Sequence, residues 1–341
     1  MIKEASEGME DFHTRTLHWL VSSPIRGPAG EIYSWINPLK SGYIYPEIMG
    51  YYTKLLSYFY RKTGKGIFLE RALQTAENLV TCISRSGAVS RGGVEYVLDS
   101  AICISGLIAV SRVAGTQKYR KPILALSSFV SRSLQNEVVA FKDGIPAHDN
   151  GTWSLSLGAS TLKACIALQE AADFLGDGKL KELSDTLLER ILMDCFRDGA
   201  FTINQEKPWI YTHPHCYATE ALLYLQAQGY DLARYIDSSA EWLAKNQNED
   251  GSLYGWYGNP GKPQEKQGDA TAQAIRIWLC TNREKYKENI RKAWDFLKGL
   301  QAPDGGLLYN QGSQDVNSWV TIFASQAAWW LLHGPEPEGI V

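Results

Sequence analysis

Residues 241–256 read EWLAKNQNEDGSLYGW. Trp242 and Leu243 close an amphipathic helical pattern that begins at 232, Gly251 breaks the run beside Asp250, and Tyr254 and Trp256 open an aromatic segment. The same order recurs along the chain. Marker glycines stand at Gly30, Gly87, Gly144, Gly199, Gly251 and Gly305, at intervals of 57, 57, 55, 52 and 54 residues. Each follows an amphipathic stretch and precedes an aromatic segment that runs into a second, more apolar helix. A lone helix pair cannot bury its apolar face, so a fixed period predicts copies of one unit stacked on their neighbours. Six hairpins that close on themselves predict an all-α toroid of twelve helices, filling residues 1–341 as a single domain.

The outer helices are expected at 12–20, 68–83, 121–134, 180–193, 232–246 and 286–300, each ending near its marker glycine as helices commonly do. The alternate segments, 46–60, 97–113, 157–174, 214–226, 270–279 and 318–332, are apolar nearly all round and are read as the inner ring. Trp242, Trp278, Trp294, Trp329 and Trp330 lie within helices and are assigned to the core. A polar tail, 334–341, follows the last helix.

The formal net charge is −3 and the sequence pI about 6.1, with basic and acidic residues interspersed, so no basic footprint for nucleic acid is present. The N-terminal residues MIKEASEGMEDFH lack the apolar core of a signal peptide, and the most apolar run, 97–110, is interrupted by Asp99 and Ser100. No integral membrane segment is expected. The six cysteines stand singly, as buried thiols do in a reducing compartment, and the expectation is a cytoplasmic protein.

The approaches to the inner helices hold most of the unusual residues: SGYIYPEIMGYY (41–52), GGVEYVLDS (92–100), GTWSLSLGAS (151–160), WIYTHPHCYATE (209–220), KQGDATAQ (266–273) and QDVNSWVT (314–321). Each repeat sends an aromatic, an acid, an amide or a histidine to one rim. Flat rings take the apolar faces of sugars while acids and amides bind hydroxyls, so the rim reads as a small-molecule or oligosaccharide site. Acids at helix starts also suit the helix dipole, which is the structural alternative for each of them.

Two outer-helix ends resemble the Gln-Trp repeat of squalene and hopene cyclases: Trp242, Leu243, Gln247, Gly251 and Trp256 in one, Phe296, Leu297, Gln301 and Gly305 in the other, which lacks the final Trp. The resemblance implies the (α/α)6 toroid superfamily shared by terpene cyclases, prenyltransferase β-subunits and six-hairpin carbohydrate enzymes. It specifies fold better than function. The chain has no DxDD acid of a class II cyclase, no Asp-x-Cys pair of a prenyltransferase, and His215-Cys216 stands in the reverse order to a lanthionine-synthetase-like pair. The six-hairpin carbohydrate enzymes remain, whose chemistry uses two carboxylates for hydrolysis or Tyr and His for lyase and uronate epimerase reactions.

The most concentrated chemical signal is Tyr211-Thr-His213-Pro-His215-Cys-Tyr217. Histidine and tyrosine suit removal of a proton α to a uronate carboxylate and protonation of a leaving oxygen. The candidate catalytic residues are His213, His215, Tyr211, Asp269, Asp99 and Glu47; two of the carboxylates would have to face each other across the funnel for hydrolysis. The candidate substrate-binding residues are Tyr43, Tyr45, Trp153, Tyr217, Trp256, Asn317 and Trp319. His213 and His215 lack the spacing of a zinc motif, and neither metal nor cofactor is expected. The reading is a carbohydrate-active enzyme acting on an acidic, uronate-containing saccharide by proton abstraction or by hydrolysis. A terpenoid cyclase-like enzyme and a non-catalytic glycan-binding toroid are the alternatives.

Overall fold

A computed structural model describes every residue except Met1, Ser23 and Asn150, and for residues 2–6 the backbone alone. In chain order the helices are α1 (Ile2–Ser22), α2 (Pro46–Thr63), α3 (Gly66–Thr81), α4 (Val97–Ala114), α5 (Arg120–Gln135), α6 (Ala164–Leu175), α7 (Gly178–Cys195), α8 (Thr212–Ala227), α9 (Ala233–Lys245), α10 (Gly268–Asn282), α11 (Lys287–Leu300) and α12 (Ser318–His333). The even-numbered helices contact one another in sequence, and α12 returns to α2, so the inner ring is closed. The odd-numbered helices pack outside it. Two expectations of extent are corrected: α1 begins at Ile2 rather than near Phe12, and the third inner segment opens as a 3₁₀ turn, Ala159–Lys163, before α6.

The marker glycines are turn residues, not helix caps as the sequence suggested. Caps in the left-handed region fall instead on the inner helices, at Gly64, Gly115 and Gly176. In four units the marker is the fourth residue of a tight turn, its N–H donating to the carbonyl of Gly27, Ser84, Asn248 or Ala302 at 2.9–3.1 Å. In the other two it completes an Asp-Gly hairpin, Asp143-Gly144 and Asp198-Gly199, with both residues at positive φ. Gly251 shows why the repeat demands glycine. Its φ is 89°, and a Cβ there would stand 2.1 Å from the Lys292 carbonyl oxygen on α11. Gly305, at φ 101°, presses in the same way on Arg15 of α1 and so joins the last unit to the first.

The glutamines of the Gln-Trp pattern tie each turn to the next outer helix. Gln247 Nε2 donates to Gly251 O at 3.0 Å and to Asn289 O at 2.9 Å. Gln301 Nε2 donates to Phe12 O at 3.0 Å and Thr16 Oγ1 at 2.9 Å, and Trp19 Nε1 donates to Asp304 Oδ2 at 3.1 Å across the closure. Short antiparallel ribbons stitch the rim: Trp35 pairs with Asn317 and Ile36 with Val316, again first unit to last, while Tyr211 pairs with Trp256.

Four of the inner helices send residues spaced i, i+4, i+7 toward the axis, as the 3.6-residue period allows. The stripes are Glu47, Tyr51, Lys54 on α2; His213, Tyr217, Glu220 on α8; Asp269, Gln273, Arg276 on α10; and Trp319, Phe323, Gln326 on α12. They form three tiers. The upper holds acids and a histidine. The middle is aromatic, with Tyr51 and Tyr217 stacked at 6.2 Å and Phe323 edge-on to Tyr51 at 5.3 Å. The lower tier is ionic: Lys54 pairs with Glu170 at 3.0 Å, and Glu220 with Lys163 at 2.6 Å and with Arg276.

The tail is not a free polar end. Ile340 and Val341 are buried at the lower end, where Lys163 Nζ donates to Val341 O at 2.8 Å and Gln326 Nε2 to Gly339 O at 2.7 Å. Among the described residues α4 is the one helix long and apolar enough to cross a membrane, and it is a mostly buried inner helix. Trp278 and Trp330 are fully buried, Trp294 nearly so, and Trp242 and Trp329 are half-buried against the core. All six cysteines are unpaired thiols.

Candidate functional site

The upper tier opens into a cavity of about 330 Å³ lined by Trp35, Tyr45, Glu47, Arg91, Trp153, Tyr211, His213, Asp269, Tyr309, Asp315, Asn317 and Trp319. Two hollows of about 670 and 680 Å³ are larger. One lies outside the ring between α1 and α11, and the other on the far side of the 35–36/316–317 ribbon. Neither gathers aromatic walls around titratable groups as the upper-tier cavity does. Strand alternation divides the rim: Trp35 and Asn317 face the funnel, Ile36 and Val316 the outer hollow.

Of the thirteen candidate residues, eight border this cavity: Tyr45, Glu47, Trp153, Tyr211, His213, Asp269, Asn317 and Trp319. The others do not reach it. His215, two residues beyond His213, points away from the axis into the wall, where its ring meets Trp242 at 4.9 Å and its Nδ1 accepts the Phe201 N–H at 3.1 Å. Burial depresses its pKa to about 3. Asp99 sits beneath the surface beside Tyr45 and Glu47, its Oδ2 buried without a hydrogen bond. Tyr43 is exposed at the rim and packs on Tyr45 at 5.5 Å. Tyr217 lies one tier below, 4.1 Å from the His213 ring, and Trp256 stacks behind Tyr211 at 4.5 Å.

Arg91, Tyr309 and Asp315 line the cavity without having been singled out. Arg91 lies in a hairpin strand, 90–91, before α4, one strand removed from the helix start that drew attention. Asp315 and Tyr309 lie in the long return before α12, where Asn37 Nδ2 donates to Asp315 Oδ1 at 2.7 Å. Trp35, on the 35–36 ribbon strand, joins Tyr45 and Glu47 as the first unit's contribution.

The titratable groups are held in unlike states. Burial, then the nearby Asp99 charge, pushes the Glu47 carboxyl well above the usual carboxylate range; Trp319 Nε1–H donates to its Oε2 at 3.3 Å. Burial raises Asp99 to about 7, against the opposing pull of Tyr45 and Arg91. His213 is lowered by burial, although Asp269 and Gln273 favour its charged form. Its Nδ1 lies 2.6 Å from Gln273 Oε1 and 3.5 Å from Asp269 Oδ2. Tyr211 is raised, by burial first and the Asp269 charge second. The Arg91 guanidinium lies over the Tyr45 and Tyr96 rings at 5.0 and 5.2 Å and makes no ion pair within 4.0 Å among the described residues. No group of three or more His, Cys, Asp or Glu side chains among the described residues is placed to hold a metal ion.

No protein-family model and no curated protein matches the chain. Solved structures do match it along nearly its whole length. A cellobiose 2-epimerase from Bacillus thermoamylovorans B4167 superposes with a TM-score of 0.77 at 12% identity, covering 94% of this chain and 99% of that one. A glycosyl hydrolase family 88 protein from Bacteroides vulgatus gives 0.70 at 13% identity, over 96% and 99%. An unsaturated glucuronyl hydrolase from Bacillus sp. GL1, responsible for the degradation of glycosaminoglycan, gives 0.70 at 12% identity, over 96% of each chain. At such identities the likeness is one of fold: the chain is an (α/α)6 toroid, all-α but for short rim ribbons.

Proposed function

We propose that the chain is a carbohydrate-active enzyme that acts on a uronate-bearing saccharide by proton abstraction. The observation that carries this reading is that His213 and Glu47 line one aromatic-walled cavity, where burial shifts the imidazole toward its neutral form and the carboxyl toward its protonated form. Two titratable groups pushed to opposite tasks are the mark of an acid and a base. His213 Nε2 takes the proton α to the sugar carboxylate, and the C–H electron pair moves into that carboxylate. Arg91, which has no ion-pair partner among the described residues, receives the carboxylate and stabilises the charge that grows on it. Glu47 returns a proton, to the opposite face of the same carbon in an epimerase or to the β-leaving oxygen in a lyase. Trp35, Tyr45, Trp153 and Trp319 hold sugar faces, and Tyr211, Asp269 and Asn317 bind hydroxyls.

Structural neighbours described as unsaturated glucuronyl hydrolases support a uronate substrate, and those described as sugar epimerases support a carbohydrate one. Hydrolysis is the second reading, favoured by one observation: Glu47 and Asp269 line the same cavity. The unpaired cysteines suit a cytoplasmic setting, and residues 1–341 are read as one catalytic domain. The test is turnover of a panel of uronate oligosaccharides by single variants. His213→Ala and Glu47→Gln should each lower the rate by roughly 10²- to 10⁴-fold while binding survives. If His213→Ala keeps the full rate while Glu47→Gln or Asp269→Asn abolishes it, proton abstraction is wrong and hydrolysis replaces it.

A further inference from the structure

The two stripes that meet on α8 and α10 form a chain of polar groups running down from the cavity: His213 to Gln273 to Glu220, and from there to Lys163 and Arg276. All five are at least nine-tenths buried. Their donors and acceptors leave one arrangement. Glu220 is flanked by Lys163 Nζ at 2.6 Å and by Arg276, so its oxygens accept. Gln273 therefore turns its amide nitrogen toward it, and Nε2 donates to Glu220 Oε2 at 3.3 Å. The amide oxygen is thereby directed the other way, to His213 Nδ1 at 2.6 Å. An amide oxygen can only accept, so Nδ1 must carry the proton.

The geometry points to Gln273, itself oriented by Glu220, as the positioning residue that fixes the His213 tautomer and leaves Nε2 bare toward the cavity. The inference rests on the proposed role of His213 as base. It explains why polar groups are buried where a core would otherwise be apolar. A half-satisfied buried network is costly; this one is bonded from link to link down to Gln326, whose Oε1 accepts from Arg276 Nη1 at 2.8 Å, and leaves Arg276 Nε buried without a partner. The charged and titratable groups facing His213 are Asp269 on α10, Tyr211 and Tyr217 flanking it on its own segment, and, in the lower tier, Glu220 and Lys163; Trp153 and Phe323 cover the rest of the ring. Asp269 is also an acceptor, so it reinforces the same tautomer at longer range.

The experiment reads the imidazole nitrogens directly by long-range ¹H–¹⁵N correlation on ¹⁵N-histidine-labelled protein, without substrate. In the wild-type chain His213 should carry its proton on Nδ1, with Nε2 bare. Gln273→Met should lose that single tautomer and move the His213 titration midpoint down, because the imidazolium loses an acceptor, while Gln273→Glu should restore the Nδ1–H form. A wild-type proton on Nε2 would overturn the inference. So would a tautomer and midpoint unchanged in a folded Gln273→Met variant. Should that variant not fold, the wild-type and Gln273→Glu spectra still decide. Turnover does not enter this readout. A fully active His213→Ala variant would sink the proposed chemistry and leave the positioning result standing.

Discussion

Gly251→Ala places a methyl carbon 2.1 Å from the Lys292 oxygen and 2.2 Å from its carbonyl carbon. Ordinary contact needs about 3.5 Å, so the turn or α11 must move by more than about 1 Å. Two costs follow. An alanine in the left-handed region costs roughly 1–2 kcal/mol, and overpacking against backbone typically adds about 1–3 kcal/mol. The repeat supplies its own control. Gly144 is also left-handed, at φ 76°, but has nothing within 4 Å of the position of a Cβ, so Gly144→Ala bears the first cost alone. Folding entropy of about 2.1 cal/mol/K per residue makes 1 kcal/mol worth about 1.4 °C in a chain of 341 residues. Calorimetry should therefore show Gly144→Ala melting about 1–3 °C below the parent and Gly251→Ala about 3–7 °C below. Equal losses would refute the argument that position 251 demands glycine because its turn sits against the next helix.

Asp99→Asn tests the buried acid pair. Because burial raises Asp99 from 3.8 to about 7, the folded chain holds this proton more tightly than the unfolded one. The stabilisation is complete below about pH 4 and is lost as pH rises through about 7. The variant should flatten the decline in melting temperature over that window, and an unchanged slope would count against the assignment. Arg91→Met should raise KM for uronate-bearing substrates by about 10- to 100-fold, the worth of a charge-assisted hydrogen bond, and leave neutral sugars unaffected. Gln301→Ala, which removes the bonds to Phe12 and Thr16, should lower the melting temperature through the ring closure, and amide exchange in α1 should quicken more than in α7.

The fold was legible because the period is written twice, once in the glycines and once in the helical patterns that alternate between amphipathic and apolar. The markers were misread as caps because sequence shows a glycine after a helix but not the left-handed turn several residues later. The site was partly legible for the same reason. Residues at inner-helix starts, such as Glu47, His213 and Asp269, arrive at the rim whatever the loops do. His215 failed because two residues along a helix turn a side chain by about 200°, which carries it off the axis. Arg91 and Tyr309 were missed because hairpins and returns place them, and those have no period to read. The tail's burial was hidden by its composition, since GPEPEGIV is polar until its last two residues.

Solvent deuterium incorporation tests the central claim most directly. Uronate-bearing oligosaccharides incubated with the enzyme in D₂O should take up deuterium at the carbon next to the carboxylate, or yield the unsaturated product of its proton loss, and His213→Ala should abolish both. Turnover with cleavage but no exchange and no unsaturated product, undiminished in His213→Ala, would contradict proton abstraction by His213.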